Sequence, residues 1–247
     1  MKQYKKELLL GGVLLGLSVI AYIVHYLIFR DAHHIFIYLL GDVAFVFIEV
    51  FLVTLIIHRV LDERERKLRL TRLNMVIGAF FSDTGTRLLA TLSNSDPSCG
   101  DLAEKLIINN KWSAQSFSVT VKWLRTYPFS IDRKNVDWTL LKSMLAEKRD
   151  FLLRLFENPN LLEHESFSEL LQATFHLIEE LEARGAFDKL PDTDLQHLTG
   201  DIKRVYGQLT ISWVYYLRHL KKEYPYLFSL AVRKNPFDEK ASVVVRE

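Results

Sequence analysis

Two long runs of apolar residues lie in the first quarter of the chain. Leu8 to Phe29 is 22 residues without Asp, Glu, Lys or Arg, and Ile35 to Ile57 is 23 residues in which Asp42 and Glu49 are the only charged ones. As helices they reach about 33 Å, enough to cross a hydrocarbon core of about 30 Å. The first run is too long for a signal peptide, and no small-x-small cleavage site follows it. We therefore predict a transmembrane helical hairpin over residues 8–57.

Basic residues flank both runs on the same side of the predicted membrane. Only one arginine lies in the connection Arg30 to His34. The positive-inside rule then places residues 1–7 and everything after residue 57 in the cytoplasm. This pattern is typical of a multi-pass protein of the bacterial inner (plasma) membrane with both termini cytoplasmic. The basic residues after the second run are expected to contact anionic lipid headgroups: Arg59, Arg64, Arg66, Lys67, Arg69 and Arg72.

Carboxylates within an apolar run need an explanation. Asp42 and Glu49 are seven residues apart, two helical turns, and so share one face of the second run. His25 of the first run is at a depth that matches Asp42. Gly12 and Gly16 form a G-x-x-x-G pair, which favours close helix packing.

Three interpretations of the two carboxylates follow. They line a cation or proton path built from several copies, they hydrogen-bond between helices, or they are accommodated locally near the bilayer surface. The first requires a homo-oligomer, because one two-helix hairpin cannot enclose a path, whereas in the second Asp42 bonds to His25 or Tyr38.

The second helix is predicted to continue into a juxtamembrane neck, residues 58–95. Leu61, Leu68 and Met75 recur every seven residues, so the neck either forms part of a coiled coil or docks on its own domain. Ser82 to Thr86 contains D-T-G-T, a string found at aspartic protease active sites. Its predicted context is helical, so we interpret it instead as a helix break in which Ser82, Asp83 or Thr84 caps the next helix.

Residues 96–232 are predicted to form a cytoplasmic α-helical domain, followed by a tail over residues 233–247. The fold class is therefore all-α, a transmembrane helical hairpin followed by a cytoplasmic helical domain. The longest helix predicted within this domain starts at a cap, Asp192 or Asp194, and runs to Glu223. Further helices are expected at 101–109, 114–125, 136–156 and 161–184.

Residue types and motifs supply no reaction. The 32 basic and 30 acidic residues nearly cancel, which argues against nucleic acid as a partner, and the single Cys99 can build neither a disulfide nor a thiolate site. His176 shares a helix face with Glu179 and Glu180 but lacks the matching helices of a di-iron site. We predict a non-catalytic protein without a catalytic, cofactor-binding or metal residue.

The segments Leu73 to Phe81 and Tyr224 to Asp238 are rich in apolar and aromatic residues. Through them the chain resembles uncharacterised bacterial two-span integral membrane proteins with a helical cytoplasmic domain. The resemblance implies location and organisation, and it carries no activity. The second segment is either part of the core or a patch for a cytoplasmic protein partner.

These patterns predict a homo-oligomeric membrane protein that presents a helical interaction or scaffold domain. The alternative function is a small ion or proton channel lined by Asp42 and Glu49.

Overall fold

The computed structural model describes residues 2–159, 161 and 165–244. The described chain contains α-helices, one π-helical turn and one 3-10 turn, and within those residues there is no strand. The chain divides into two compact units, Met1–Arg66 and Lys67–Glu247. The division falls inside the segment that the sequence predicts to be a neck.

The first unit contains helix α1, Lys2–Phe29, and most of helix α2, Ala32–Phe80. The connection is shorter than the predicted five residues because Asp31 Oδ1 accepts a hydrogen bond from the backbone N–H of His34 at 3.1 Å, which caps α2. Arg30 adopts a left-handed conformation, with φ of 50°. Its N–H donates to the Tyr26 carbonyl at 2.8 Å, which ends α1.

Apolar side chains of the first unit are exposed along both helices. Leu15, Leu40 and Phe47 are each more than 70% exposed. Leu8–Phe29 and the run Ala32–Ser93 are long and apolar enough to cross a membrane, by length and composition alone.

Helix α2 does not break at the D-T-G-T string. Phe81–Gly85 forms a π-helical turn that leads directly into α3, Thr86–Ser93. The predicted break and cap are wrong, since neither helical segment has a side-chain cap there and Asp83 pairs with Lys148 at 3.2 Å. The turn is helical on both sides, unlike the loop that an aspartic protease requires.

Among the residues that the structure describes, six further helices follow in the second unit. They are α4 (Cys99–Leu106), α5 (Ala114–Leu124), α6 (Trp138–Phe156), α7 (Glu165–Glu182), α8 (Asp192–Glu223) and α9 (Pro225–Arg233), with a 3-10 turn at Arg133–Asn135. Helix α8 lies at the centre and packs against α3, α5, α7 and α9. The apolar residues whose helical spacing indicates this helix are buried: Leu198, Ile202, Val205, Tyr206, Leu209, Trp213 and Leu217.

The cap predicted for α8 is wrong. Pro191 is the N-cap residue, and Asp192 and Asp194 lie in the first turn, where they bind arginines instead of the backbone. Asp192 pairs with Arg133, and Asp194 pairs with Arg184. Both carboxylates still lie close to the positive end of the helix dipole, which favours the helix start.

Candidate functional site

A groove of about 700 Å³ lies in the second unit, between the end of α2, the π-helical turn, α8 and α9. This volume falls within the usual range for small-molecule sites. Helix α9 contributes Leu227, Leu230 and Ala231 to the wall, whereas Phe228 points into the core. The aromatic C-terminal segment is therefore partly core and partly the wall of a groove.

The π-helical turn shapes one wall of the groove. The Phe81 carbonyl accepts hydrogen bonds from the backbone N–H of Thr86 and from Thr86 Oγ1, the latter at 2.8 Å. The Phe81 ring stacks on Tyr216 with the ring centroids 4.9 Å apart. Because π-helical turns are frequent at functional sites, this wall marks the groove as a candidate binding surface.

The charged side chains among the described residues that line the groove are basic. Arg87 and Lys234 are exposed cations, and His219 is half-buried. Burial lowers the pKa of His219 and raises the pKa of the neighbouring Tyr216. Among the described residues that line the groove there is no carboxylate. The arrangement suits an apolar ligand with an anionic group.

The polar residues predicted in the membrane are not brought together within one chain. His25 contacts Phe29 and His34, with ring centroids 4.8 and 6.3 Å apart, and its Nε2 has no hydrogen-bond partner in the described part of the chain. Asp42 and Glu49 are exposed on α2. The structure therefore does not show the proposed His25 to Asp42 contact.

The predicted helix-packing face also lies open. A Cβ atom added to Gly12 or Gly16 would meet no described atom within 4 Å. Farther along α2, Arg59 pairs with Glu63 at 3.8 Å, and both side chains are exposed. The other basic residues predicted to contact lipid are exposed as well: Arg64, Arg66, Lys67, Arg69 and Arg72.

A second polar cluster was only half recognised from the sequence, which grouped His176 with Glu179 and Glu180 of its own helix and set them aside. The structure brings His176 and Glu180 of α7 next to His197 and Asp201 of α8. The available signal was a repeated spacing, since a histidine precedes a carboxylate by four residues in both helices. One such pair is common on a helix surface, and only tertiary packing shows that two pairs face each other.

Comparison with known proteins places the chain in a family. The family model described as "MJ1433, N-terminal helical domain" matches residues 2–61, and "Uncharacterized protein MJ1433, C-terminal helical domain" matches residues 69–233. A relative named "Uncharacterized protein MJ1433", from Methanocaldococcus jannaschii, is 46% identical over 247 residues, which cover 100% of this chain and 99% of the relative. No solved structure matches the chain.

The relative's organism bears on the expected bacterial source of the chain. The relative is archaeal, so the expected bacterial source has no support. The two family models lie on either side of the boundary at Arg66 between the structural units. The chain belongs to the MJ1433 family of proteins with an N-terminal and a C-terminal helical domain.

Proposed function

We propose that the protein is a membrane-anchored homo-oligomer that presents a helical interaction domain at the cytoplasmic face of the cell membrane. The exposure of the apolar side chains on α1 and α2 carries the proposal. Monomeric soluble proteins rarely expose apolar patches larger than several hundred Å², whereas these side chains cover two helices of membrane-spanning length. A lipid bilayer covers such a surface and removes its exposure to water.

Cysteine labelling tests the anchor and its orientation. Cys99 is the only native cysteine, so Cys99→Ser supplies a background without one. In that background, Ala32→Cys between the spans should react with a membrane-impermeant maleimide in intact cells. Gln115→Cys in α5 should react only after lysis. The proposal would be contradicted if alkaline carbonate released the protein from the membranes, or if the labelling pattern were reversed.

Two exposed carboxylates support the oligomer. Within the described residues no hydrogen bond or ion pair is formed by Asp42 or Glu49, and a charged side chain facing lipid costs at least about 2.5 kcal/mol. Copies of α2 that meet along this face would shield both carboxyl groups. Each hydrogen bond between the helices then contributes about 0.6–2 kcal/mol.

Native mass spectrometry from nanodiscs measures the oligomeric state. The wild type should be an oligomer, and the double variant Asp42→Val/Glu49→Leu should dissociate. Thr54→Val removes a polar group from a different face of the same helix, so it should leave the oligomer intact. A monomeric wild type, or an unchanged double variant, would show that these carboxylates do not hold copies together.

A channel is the second candidate function, because the same two carboxylates would form two acidic rings in an oligomer of α2. Proton and cation flux into liposomes should then exceed that of empty liposomes. Asp42→Asn and Glu49→Gln should lower it. Background flux for the wild type removes the channel and leaves the anchored oligomer.

The groove is the interaction site that we propose for the helical domain, with an anionic amphiphile as its ligand. The cations Arg87 and Lys234 beside an apolar wall support this choice. In nanodiscs of zwitterionic lipid, a fluorescent fatty acid should bind more tightly than its methyl ester after subtraction of empty nanodiscs. Arg87→Glu/Lys234→Glu should abolish that preference. Equal binding of acid and ester to the wild type would refute an anionic ligand.

A further inference from the structure

Helices α7 and α8 each carry a histidine and a carboxylate one turn apart. His176 and Glu180 lie on α7, and His197 and Asp201 lie on α8. Residues four apart share a helix face. Because the two faces are packed against each other, four side chains that suit metal ligation converge at one place.

The distances in this cluster match metal coordination. Asp201 Oδ2 lies 3.4 Å from His176 Nε2 and 3.6 Å from His197 Nε2. The ligand atoms of the three residues all lie within 4.8 Å of one another. A tetrahedral ion with bonds of about 2.1 Å separates its ligand atoms by about 3.4 Å. An ion therefore fits with small side-chain adjustments.

Asp201 distinguishes this cluster from a surface ion pair. The residue is only 3% exposed, and its Oδ2 accepts no hydrogen bond from the residues that the structure describes. Its other oxygen, Oδ1, accepts a hydrogen bond from Arg204 at 2.9 Å. A buried carboxylate oxygen normally has a partner, since desolvation without one is costly. Oδ2 is directed at the two imidazole nitrogens, where a cation would supply that partner.

Glu180 provides a fourth ligand. Its Oε1 lies 3.9 Å from His176 Nε2, and its Oε2 lies 3.7 Å from His197 Nε2. Arg184 donates to Oε2 at 2.6 Å and also holds Asp194 through two hydrogen bonds. Oε1 remains available for an ion, and Arg184 orients the carboxylate through its hydrogen bond to Oε2.

We propose that His176, His197 and Asp201, with Glu180 as fourth ligand, bind one divalent transition-metal ion, zinc by preference. Two imidazoles with carboxylates suit zinc, whereas calcium and magnesium take oxygen ligands. The histidine side chains are 44% and 54% exposed, so the ion enters from solvent. Once bound, it links α7 to α8.

Metal binding to the tag-free, full-length protein in nanodiscs tests the site. After treatment with a chelator, calorimetric titration with Zn²⁺ should give one ion per chain. Co²⁺ should give the visible absorption of a tetrahedral site with nitrogen and oxygen ligands. At a free Zn²⁺ concentration one hundred times the Kd, the thermal midpoint of the tryptophan fluorescence should rise by about 5–10 °C.

Variants locate the ion. His176→Gln/His197→Gln changes two partly exposed side chains, so the protein should fold normally. Its Zn²⁺ affinity should fall at least about 100-fold, because losing metal ligands costs more than losing residues that only orient the ligands. The Zn²⁺ affinity of Asp201→Asn should fall at least about tenfold, by the same comparison. Glu179→Gln, one residue from Glu180 and exposed, and His58→Gln on α2 are the matched controls and should bind as the wild type does.

Two results would overturn the proposal. One is a wild type that binds no Zn²⁺ at micromolar concentrations. The other is a double histidine variant that binds Zn²⁺ as tightly as the wild type, because the ion would then lie elsewhere. Neither result bears on the membrane anchor or on the groove.

Discussion

Gly85 is where one added methyl group has the clearest expected effect. The residue ends the π-helical turn and is buried. An ideal Cβ at this position would lie 2.6 Å from Phe80 Cε1 and 2.8 Å from Phe81 Cδ1. Ordinary contacts between carbon atoms are about 3.5–4.0 Å, so both rings would have to move by about 1 Å. Phe80 packs edge-on against Phe167 at 5.3 Å and Phe81 stacks on Tyr216, so neither ring has free space.

The magnitude follows from two opposing terms. Overpacking a well-packed core costs about 1–3 kcal/mol. Replacing a helical glycine by alanine returns about 0.5–1 kcal/mol. Gly85→Ala should therefore destabilise the second unit by about 1–2 kcal/mol. Gly78→Ala is the matched control, since the nearest described atom to its Cβ would be Tyr216 Cε2 at 3.8 Å, an ordinary contact, and it should stabilise by about 0.5–1 kcal/mol.

Intrinsic tryptophan fluorescence during heating measures both variants. All four tryptophans lie after residue 66, so the signal reports the second unit. At about 2–4 °C per kcal/mol, Gly85→Ala should lower the midpoint by about 2–8 °C and Gly78→Ala should raise it by about 1–4 °C. Shifts of the same sign in both variants, or no loss in Gly85→Ala, would refute the packing argument at the π-helical turn.

Three further predictions concern single side chains. Arg30→Gly should stabilise the hairpin by about 1 kcal/mol in SDS titrations followed by circular dichroism, because φ is 50° there; a destabilised variant would contradict this. Arg184→Gln should destabilise the second unit at neutral pH, because Arg184 hydrogen-bonds Glu180 and Asp194 and lowers the pKa of both carboxyl groups. That stability is present above their ordinary pKa values and is lost on acidification, so denaturant melts of wild type and variant should converge towards pH 3. Asn235→Ala should cost about 1–3 kcal/mol in the same melts, since the buried side-chain amide hydrogen-bonds two backbone groups. If the variant is as stable as the wild type, water replaces the amide.

Helix positions in the second unit were predictable because they depend on local periodicity. The apolar spacing along α8 and the end expected at Glu223 predicted most of the observed helix, Asp192–Glu223, and the apolar residues of that spacing are buried. Helix α6 was predicted over residues 136–156 and is observed at Trp138–Phe156. The groove was not predictable, because residues far apart in sequence line it.

Local chemistry misled at two places where tertiary contacts decide. Ser82 to Thr86 contains good capping residues, but Asp83 pairs with Lys148, Phe81 stacks on Tyr216, and the helix continues through a π-helical turn. Asp194 is a good cap in isolation, yet Arg184 binds it through two hydrogen bonds. In both cases packing or a charged partner outweighs a single capping bond of about 1 kcal/mol.

The sequence by itself determined the two apolar helices, the all-α class and the location of the long central helix, because each depends on residue type and spacing along a few turns. Only the tertiary structure decided which polar side chains meet. His176 and Glu180 come next to His197 and Asp201 because α7 packs on α8, and the burial of Asp201 follows from that packing. A spacing of four residues defines a helix face, but it does not say what lies across from that face.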